Sequence, residues 1–92
     1  MVAQDFAIIP KTHRFTHPDA QRIYRAVLRT RHRSVVIDLS RADDATTSAF
    51  ARLVLLRREL LRRGRDLRLV GLRDRVQKVY EVNRLASVLP CD

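Results

Sequence analysis

Ser34-Val35-Val36-Ile37-Asp38-Leu39 opens the stretch that decides the fold, and Asp66-Leu67-Arg68-Leu69-Val70-Gly71 closes it. Both are short, mainly aliphatic runs. Between them a polar turn, Ser40-Arg41-Ala42-Asp43-Asp44-Ala45, leads into residues with helical periodicity that stop at Gly64. An aliphatic run, a helical repeat and a second aliphatic run make a βαβ unit, whose strands lie parallel and are joined by a right-handed crossover. Val35 to Leu39 is apolar without alternation, which predicts a central strand covered on both faces. The fold class expected is α/β.

The helix inside this unit is predicted from about Thr47 or Ser48 to Arg63, with Gly64 as the residue that ends it. At about 100° per residue, Ala49, Phe50, Leu53, Val54, Leu56, Leu60 and Leu61 share an arc that must face the sheet. Ser48, Arg52, Leu55, Glu59, Arg62 and Arg63 lie opposite. Arg57 falls inside the apolar arc, where its stem can lie on the core while the guanidinium snorkels out. Leu55 falls on the outward stripe. Ser48, Arg52, Leu55 and Glu59 are spaced to form a ridge with a hydroxyl at one end and charges around an apolar centre, a pattern suited to docking a protein.

Ninety-two residues make one small domain, whose core buries roughly two thirds of the unfolded surface. No apolar run approaches the ~20 residues of a bilayer span. Met1-Val2-Ala3-Gln4-Asp5 has neither a basic nor an apolar region, so no secretory signal is expected and the cytoplasm is the default compartment. Cys91 is the single cysteine, which excludes an internal disulfide and predicts a free, exposed thiol near the end. The net charge of +9 attracts acidic partners. Its arginines are scattered through every element, however, and aromatics for base stacking are nearly absent, so nucleic acid is an unfavoured partner.

His13, His17 and His32 stand too far apart, without acidic or cysteine companions at ligand spacing, to form a metal site. No Ser-His-Asp or Cys-His arrangement can be assembled, and Gly64 and Gly71 are isolated turn residues rather than a phosphate-cradling loop. Neither catalysis nor a cofactor is expected.

Upstream, Phe6-Ala7-Ile8-Ile9 is closed by Pro10, and Thr12 to Phe15 forms a second extended piece. Thr16-His17-Pro18-Asp19 then resembles a capping box, and Ala20, Ile23, Tyr24, Val27 and Leu28 give the following helix a sheet-facing side. Arg22, Arg25 and Arg29 occupy its other side. Arg29-Thr30-Arg31-His32-Arg33 makes a basic loop, read as a solvated connection in preference to an anion site. Downstream, a last helix is predicted from Arg75 to about Leu85, with Val76, Val79 and Tyr80 on its apolar face and Val82 at the margin.

Four pieces in order carry a resemblance: Val35-Val36-Ile37-Asp38-Leu39-Ser40, Ala45-Thr46-Thr47-Ser48-Ala49-Phe50, Leu60-Leu61-Arg62-Arg63-Gly64, and Leu67-Arg68-Leu69-Val70-Gly71-Leu72. Together they resemble a STAS domain, the sulphate transporter and anti-sigma factor antagonist family. That family's pattern is a strand ending in Asp-Leu-Ser, an Asp-Ser-Ser-Gly-Leu turn opening a helix, a glycine closing it, and a strand ending in Val-Gly-Leu. The similarity extends more loosely from about Phe6 to Leu89. It implies a single STAS-like domain over residues 1–92, with a mixed four- to five-stranded sheet and helices packed mainly on one face. Leu85 to Pro90 is similar to the family's Gly-Leu and short final strand, with Arg84 in the glycine's place. The opening hairpin looks abbreviated and the family's further helix is missing, which implies sheet surface left for a homodimer or another partner.

In the family's anti-sigma factor antagonists a partner kinase phosphorylates the second serine of the turn. The resemblance places that serine at Ser48, with Thr47 as the first serine, Thr46 as the aspartate, Ala49 as the glycine and Phe50 as the leucine. It implies a non-enzymatic, bacterial partner-switching domain with phosphorylation at Ser48 or Thr47. Asp44, Thr46, Arg52, Leu55, Glu59 and Arg62 are the expected partner-binding residues, facing an acidic protein such as a serine kinase anti-sigma factor. A hydroxyl residue here also caps the helix, and the positive helix end favours an added phosphate, whereas the same charge at an interface opposes docking. The alternatives are a STAS subunit of a lipid or anion ABC-type transport complex, a basic nucleic-acid-binding domain, and a small-molecule sensor with a cavity near Asp38 and Thr46.

Overall fold

The two aliphatic runs pair as a βαβ unit requires. The computed structural model describes residues 6–92. Its elements are β1 (Phe6–Ile8), β2 (Arg14–Phe15), α1 (His17–Arg29), β3 (Ser34–Asp38), β4 (Asp44–Ala45), α2 (Thr47–Arg62), β5 (Asp66–Val70), α3 (Asp74–Val82) and a 3₁₀ turn at Leu85–Ser87. Met1 to Asp5, where the absence of a secretory signal was expected, lie outside the described residues. No helix among the described residues is long and apolar enough to cross a membrane.

β3 lies in the middle. Val35, Val36 and Ile37 pair in parallel with Phe6, Ala7 and Ile8 of β1, and Ser34 to Asp38 pair in parallel with Asp66 to Val70 of β5. The α/β class holds, with three helices and five strands among the described residues. Within that frame the expected mixing of the sheet takes the form of two separate parallel ladders, β1-β3-β5 and β2-β4. The opening hairpin does not form because Pro10 cannot extend β1 as a donor, while Phe15 pairs with Ala45 and is fully buried.

One face of the larger sheet is covered. Val35, Ile37, Leu67 and Leu69 share a single buried cluster with Val27 of α1 and Phe50, Leu53, Leu56 and Leu60 of α2. The other face carries the in-register row Ala7, Val36 and Arg68. Ala7 is exposed, and Val36, although only 8% exposed, stands outside the core cluster. Covering of β3 on both faces was expected and is not found. Its unbroken apolar run reflects a central place between two strands, which shield Val36 from the sides.

The ends of the helices follow their local chemistry. Asp19 accepts from both the backbone N–H and the hydroxyl of Thr16 at 2.9 Å, fixing the start of α1. At the end of α2, Gly64 takes φ +71°, its N–H donates to Leu61 O at 3.2 Å, and the Arg65 N–H donates to Leu60 O at 2.8 Å. Those two bonds are a Schellman closure, which requires a left-handed residue at Gly64.

The last segment departs from expectation. α3 ends at Val82, and the Val88 and Leu89 N–H groups both donate to Leu85 O, so the expected final strand coils into a 3₁₀ turn. Only a parallel bridge between Cys91 and Leu69 remains of it. Cys91 is accordingly half-buried against the core, and burial, with Asp92 adding, pushes its thiol up. The exit from α3 falls on Arg84, at φ 52° and ψ 47°. This left-handed conformation costs a side chain about 1–2 kcal/mol and glycine almost nothing, and Arg84 is exposed. Arg84→Gly is therefore expected to raise stability by about 1 kcal/mol, after allowing for the extra freedom of glycine in the unfolded chain. Urea denaturation would show a higher midpoint at unchanged slope; a lower midpoint would contradict the strain.

Candidate functional site

Only Thr46 separates β4 from α2, and its anchoring sets the geometry of the helix start. The Thr46 N–H donates to Phe15 O of β2 at 3.0 Å, holding the residue extended at φ −96° and ψ 153°. From there its Oγ1 accepts the Ala49 N–H at 3.1 Å, satisfying one of the free donors of the first turn. The cap is thus Thr46, and neither Thr47 nor Ser48, because only Thr46 has the extended backbone that turns a side chain back over the helix. Ser48 is left exposed at the second helical position, with its Oγ 3.1 Å from Thr46 Oγ1. No acidic residue occupies the first turn. Ala49 is fully buried within the core cluster, so its methyl leaves the outer surface as open as a glycine would.

The two flanks of α2 differ. On one, Thr47, Phe50, Ala51, Val54 and Leu55 face Asn83, Leu85 and Val88 across an apolar groove of about 440 Å³. Leu55 is 43% exposed and Val88 39% exposed, which leaves apolar surface on both walls. Asn83 Nδ2 donates to Thr47 Oγ1 at 3.3 Å and to Val79 O at 2.8 Å, closing the groove at the end beside Ser48.

On the other flank, Arg52 turns onto α1. Its Nε lies 3.4 Å from His17 Nε2, and its guanidinium stands 5.4 Å from the centre of the Tyr24 ring. The expected ridge is therefore split: Leu55 belongs to the groove and Arg52 to the contact with α1. Glu59 holds Arg62 at 3.5 Å and Arg63 at 3.1 Å, while Arg62 remains largely exposed. Asp44 is engaged locally, accepting the Ala45 N–H at 2.9 Å with Arg14 Nε at 3.9 Å.

Arg57 positions the far wall. Instead of snorkelling to solvent, its guanidinium bonds both carboxylate oxygens of Asp66, at 2.8 and 3.3 Å, and donates to Val88 O at 3.2 Å. The bond to Asp66 holds its pKa above the ordinary arginine value. One side chain thereby ties α2, β5 and the Val88 segment together. Asn83 and Val88 were not among the residues singled out from sequence, and Arg57 was read there only as a snorkelling side chain. An arginine standing where a left-handed glycine is expected, at Arg84, was the signal that the chain turns back there.

Asp38 and Thr46 are each engaged in local hydrogen bonds. Asp38 Oδ1 accepts the Ser40 N–H at 2.9 Å and crowds Gly71, while Thr46 is held by its cap. Among the described residues, no three His, Cys, Asp or Glu side chains gather as a metal-binding group.

The family model of the STAS domain matches residues 18–91, a span that contains the cap, both groove walls and the exposed serine. No curated protein matches the chain at a significant level.

Proposed function

The chain belongs to the STAS domain family, generally non-enzymatic modules that bind protein partners in anti-sigma factor antagonism or transport, and we propose that it acts in partner switching. The partner docks along the apolar groove of α2, and phosphorylation of Ser48 releases it. The observation that carries this reading is the position of an exposed hydroxyl, Ser48, beside the Thr47 end of a groove whose walls present Leu55 and Val88.

The physical argument has two sides. Within the free chain, a phosphate on Ser48 sits in the first turn of α2, where the helix dipole favours it and no acidic residue of that turn repels it. At a docked interface the same group, carrying roughly two negative charges, must be desolvated against the partner. Arg62, exposed on α2 at the end away from Ser48, gives the docked surface a charged rim that suits acidic residues of the partner, while the phosphate opposes docking at the Ser48 end through its own desolvation. Salt weakens the contact by screening that rim.

Intact-mass analysis of the protein from its native host, with peptide mapping of residues 43–53, tests the modification. Pull-downs with wild type, Ser48→Ala and Ser48→Asp test the switch. A serine kinase retained by wild type and Ser48→Ala, and bound about tenfold or more weakly by Ser48→Asp, is the expected result. Equal retention by all three, with no phosphate under growth or stress, would sink the switch. Recovery of an ATPase or permease subunit would assign the groove to a transport complex instead.

A further inference from the structure

At the end of α2 opposite Ser48, five arginines converge on one cleft. Arg29, Arg31 and Arg33 come from the end of α1 and the loop into β3, and Arg63 and Arg65 from the turn that closes α2. The cleft encloses about 580 Å³, within the ~300–1,000 Å³ range of small-ligand sites. Leu28, Thr30 and Gly64 complete its walls, and no acidic side chain among the described residues lines it. Since α2 has 16 residues, the cleft lies roughly 24 Å along the helix from the proposed phosphorylation site.

Two of the five have structural partners. Arg65 donates to His32 O at 2.6 Å, to Val27 O at 3.1 Å and to Thr30 Oγ1 at 3.0 Å, and Arg63 is held by Glu59. Arg29, Arg31 and Arg33 are exposed, with no acidic partner among the described residues. Arginines at helix ends commonly offset the helix dipole, and α1 and α2 both end here. Two such ends supply only about one negative charge, and Glu59 about one more, against five guanidinium groups. An excess of about three positive charges stays in one cleft. Arginine cannot relieve it by losing a proton. Its proximity is felt at Arg65, whose pKa is pushed down first by burial and then by Arg63.

The frame is also built in advance. Arg33 O accepts the Asp66 N–H at 2.9 Å, His32 O accepts from Arg65, and the His32 ring stacks on Phe6 with centroids 4.6 Å apart. A loop held at three points loses less freedom when it takes a ligand. Guanidinium forks match phosphate oxygens in bidentate pairs. We propose that this cleft binds a soluble polyphosphate, an anion of at least two linked phosphoryl groups, through Arg29, Arg31 and Arg33. Linked phosphates fit better than one, because three unpaired guanidinium groups exceed what a single dianion neutralises. A bilayer would call for exposed apolar residues beside the charges, and Leu28 is the sole large apolar residue among the described residues that line the cleft. A nucleic-acid strand would call for stacking aromatics, and none lines it.

Calorimetric titration of the full chain with sodium triphosphate, at about 0.15 M salt, tests the proposal. Saturable one-to-one binding is expected, weakened about tenfold or more when Arg29→Gln, Arg31→Gln and Arg33→Gln are combined. A control combining Arg41→Gln, Arg58→Gln and Arg75→Gln removes the same charge from exposed positions elsewhere and should weaken binding less than about threefold. Thermal melts establish that both variants fold. Binding that does not saturate, or that weakens equally in the two variants, overturns the site in favour of net charge alone. Tighter cleft-dependent binding to a DNA duplex, or to phosphatidylglycerol vesicles, than to triphosphate overturns the assignment to a soluble polyphosphate.

Discussion

Replacing Arg65 by alanine is expected to lower the free energy of unfolding by about 3 kcal/mol, a large share of the ~5–14 kcal/mol typical of a chain this size. Arg65 is only 8% exposed, and its guanidinium serves three acceptors at the end of α1 and in the loop that follows. Hydrogen bonds from a charged donor contribute about 1.5–3 kcal/mol each. Against them stands the desolvation of a buried cation, several kcal/mol, which also lowers the Arg65 pKa. The bonds outweigh that cost, and alanine additionally leaves the His32 carbonyl oxygen without its donor, whereas Val27 O keeps the Thr30 N–H and hydroxyl. Arg65→Met separates the contributions: it keeps the stem and loses the bonds, so about 2 kcal/mol of the loss should remain. Urea denaturation of both variants gives the answer. A loss below about 1 kcal/mol in each would show that desolvation had cancelled the bonds.

The βαβ core was legible because it is written in local periodicity. Val35 to Leu39 must be buried, Gly64 must end a helix, and the Phe50, Leu53, Leu56 and Leu60 stripe must face the sheet; each follows from the residues nearest it, and the family match from residue 18 onwards agrees. The start of α2 at Thr47 was legible for the same reason, while Ser48 was singled out by its match to the family's turn. What sequence left open depends on partners distant along the chain. The far wall of the groove is held by Arg57 reaching Val88 O, 31 residues on, and the cap falls on Thr46 because Phe15 O anchors it from β2. Arg52 and Leu55 sit on one stripe of the helix, but α1 stands against one side of it and the 3₁₀ segment against the other, which no helical wheel contains. The basic loop read as a solvated connection likewise changes character once the end of α2 brings Arg63 and Arg65 against it.

The second large effect is expected at Gly71, where a change to alanine should cost about 3 kcal/mol and shift the melting temperature down by roughly 12–24 °C. Gly71 has φ +74°, and a Cβ there would stand 2.7 Å from Asp38 Oδ1, 3.0 Å from Ser40 Cβ and 3.1 Å from Ser40 N. The left-handed backbone alone costs an alanine about 1–2 kcal/mol. The rest comes from displacing Asp38, whose Oδ1 holds the Ser40 N–H at 2.9 Å, together with a backbone that cannot simply rotate away. Gly64 supplies the internal control: it has nearly the same conformation, φ +71°, but nothing within 4 Å of an added Cβ. Gly64→Ala should therefore show the conformational cost by itself, about 1 kcal/mol. The difference between the two variants measures the steric contact between the end of β5 and the loop that follows β3. Ser40 O also accepts from Arg73 Nε at 2.8 Å, and that loop continues to β4 and the Thr46 cap. Gly71→Ala should thus disturb the loop before α2, visible as faster amide exchange at residues 40–46, where Gly64→Ala leaves it unchanged. Equal losses in the two variants would mean that Asp38 and Ser40 yield without cost, and that the loop is not held by this contact.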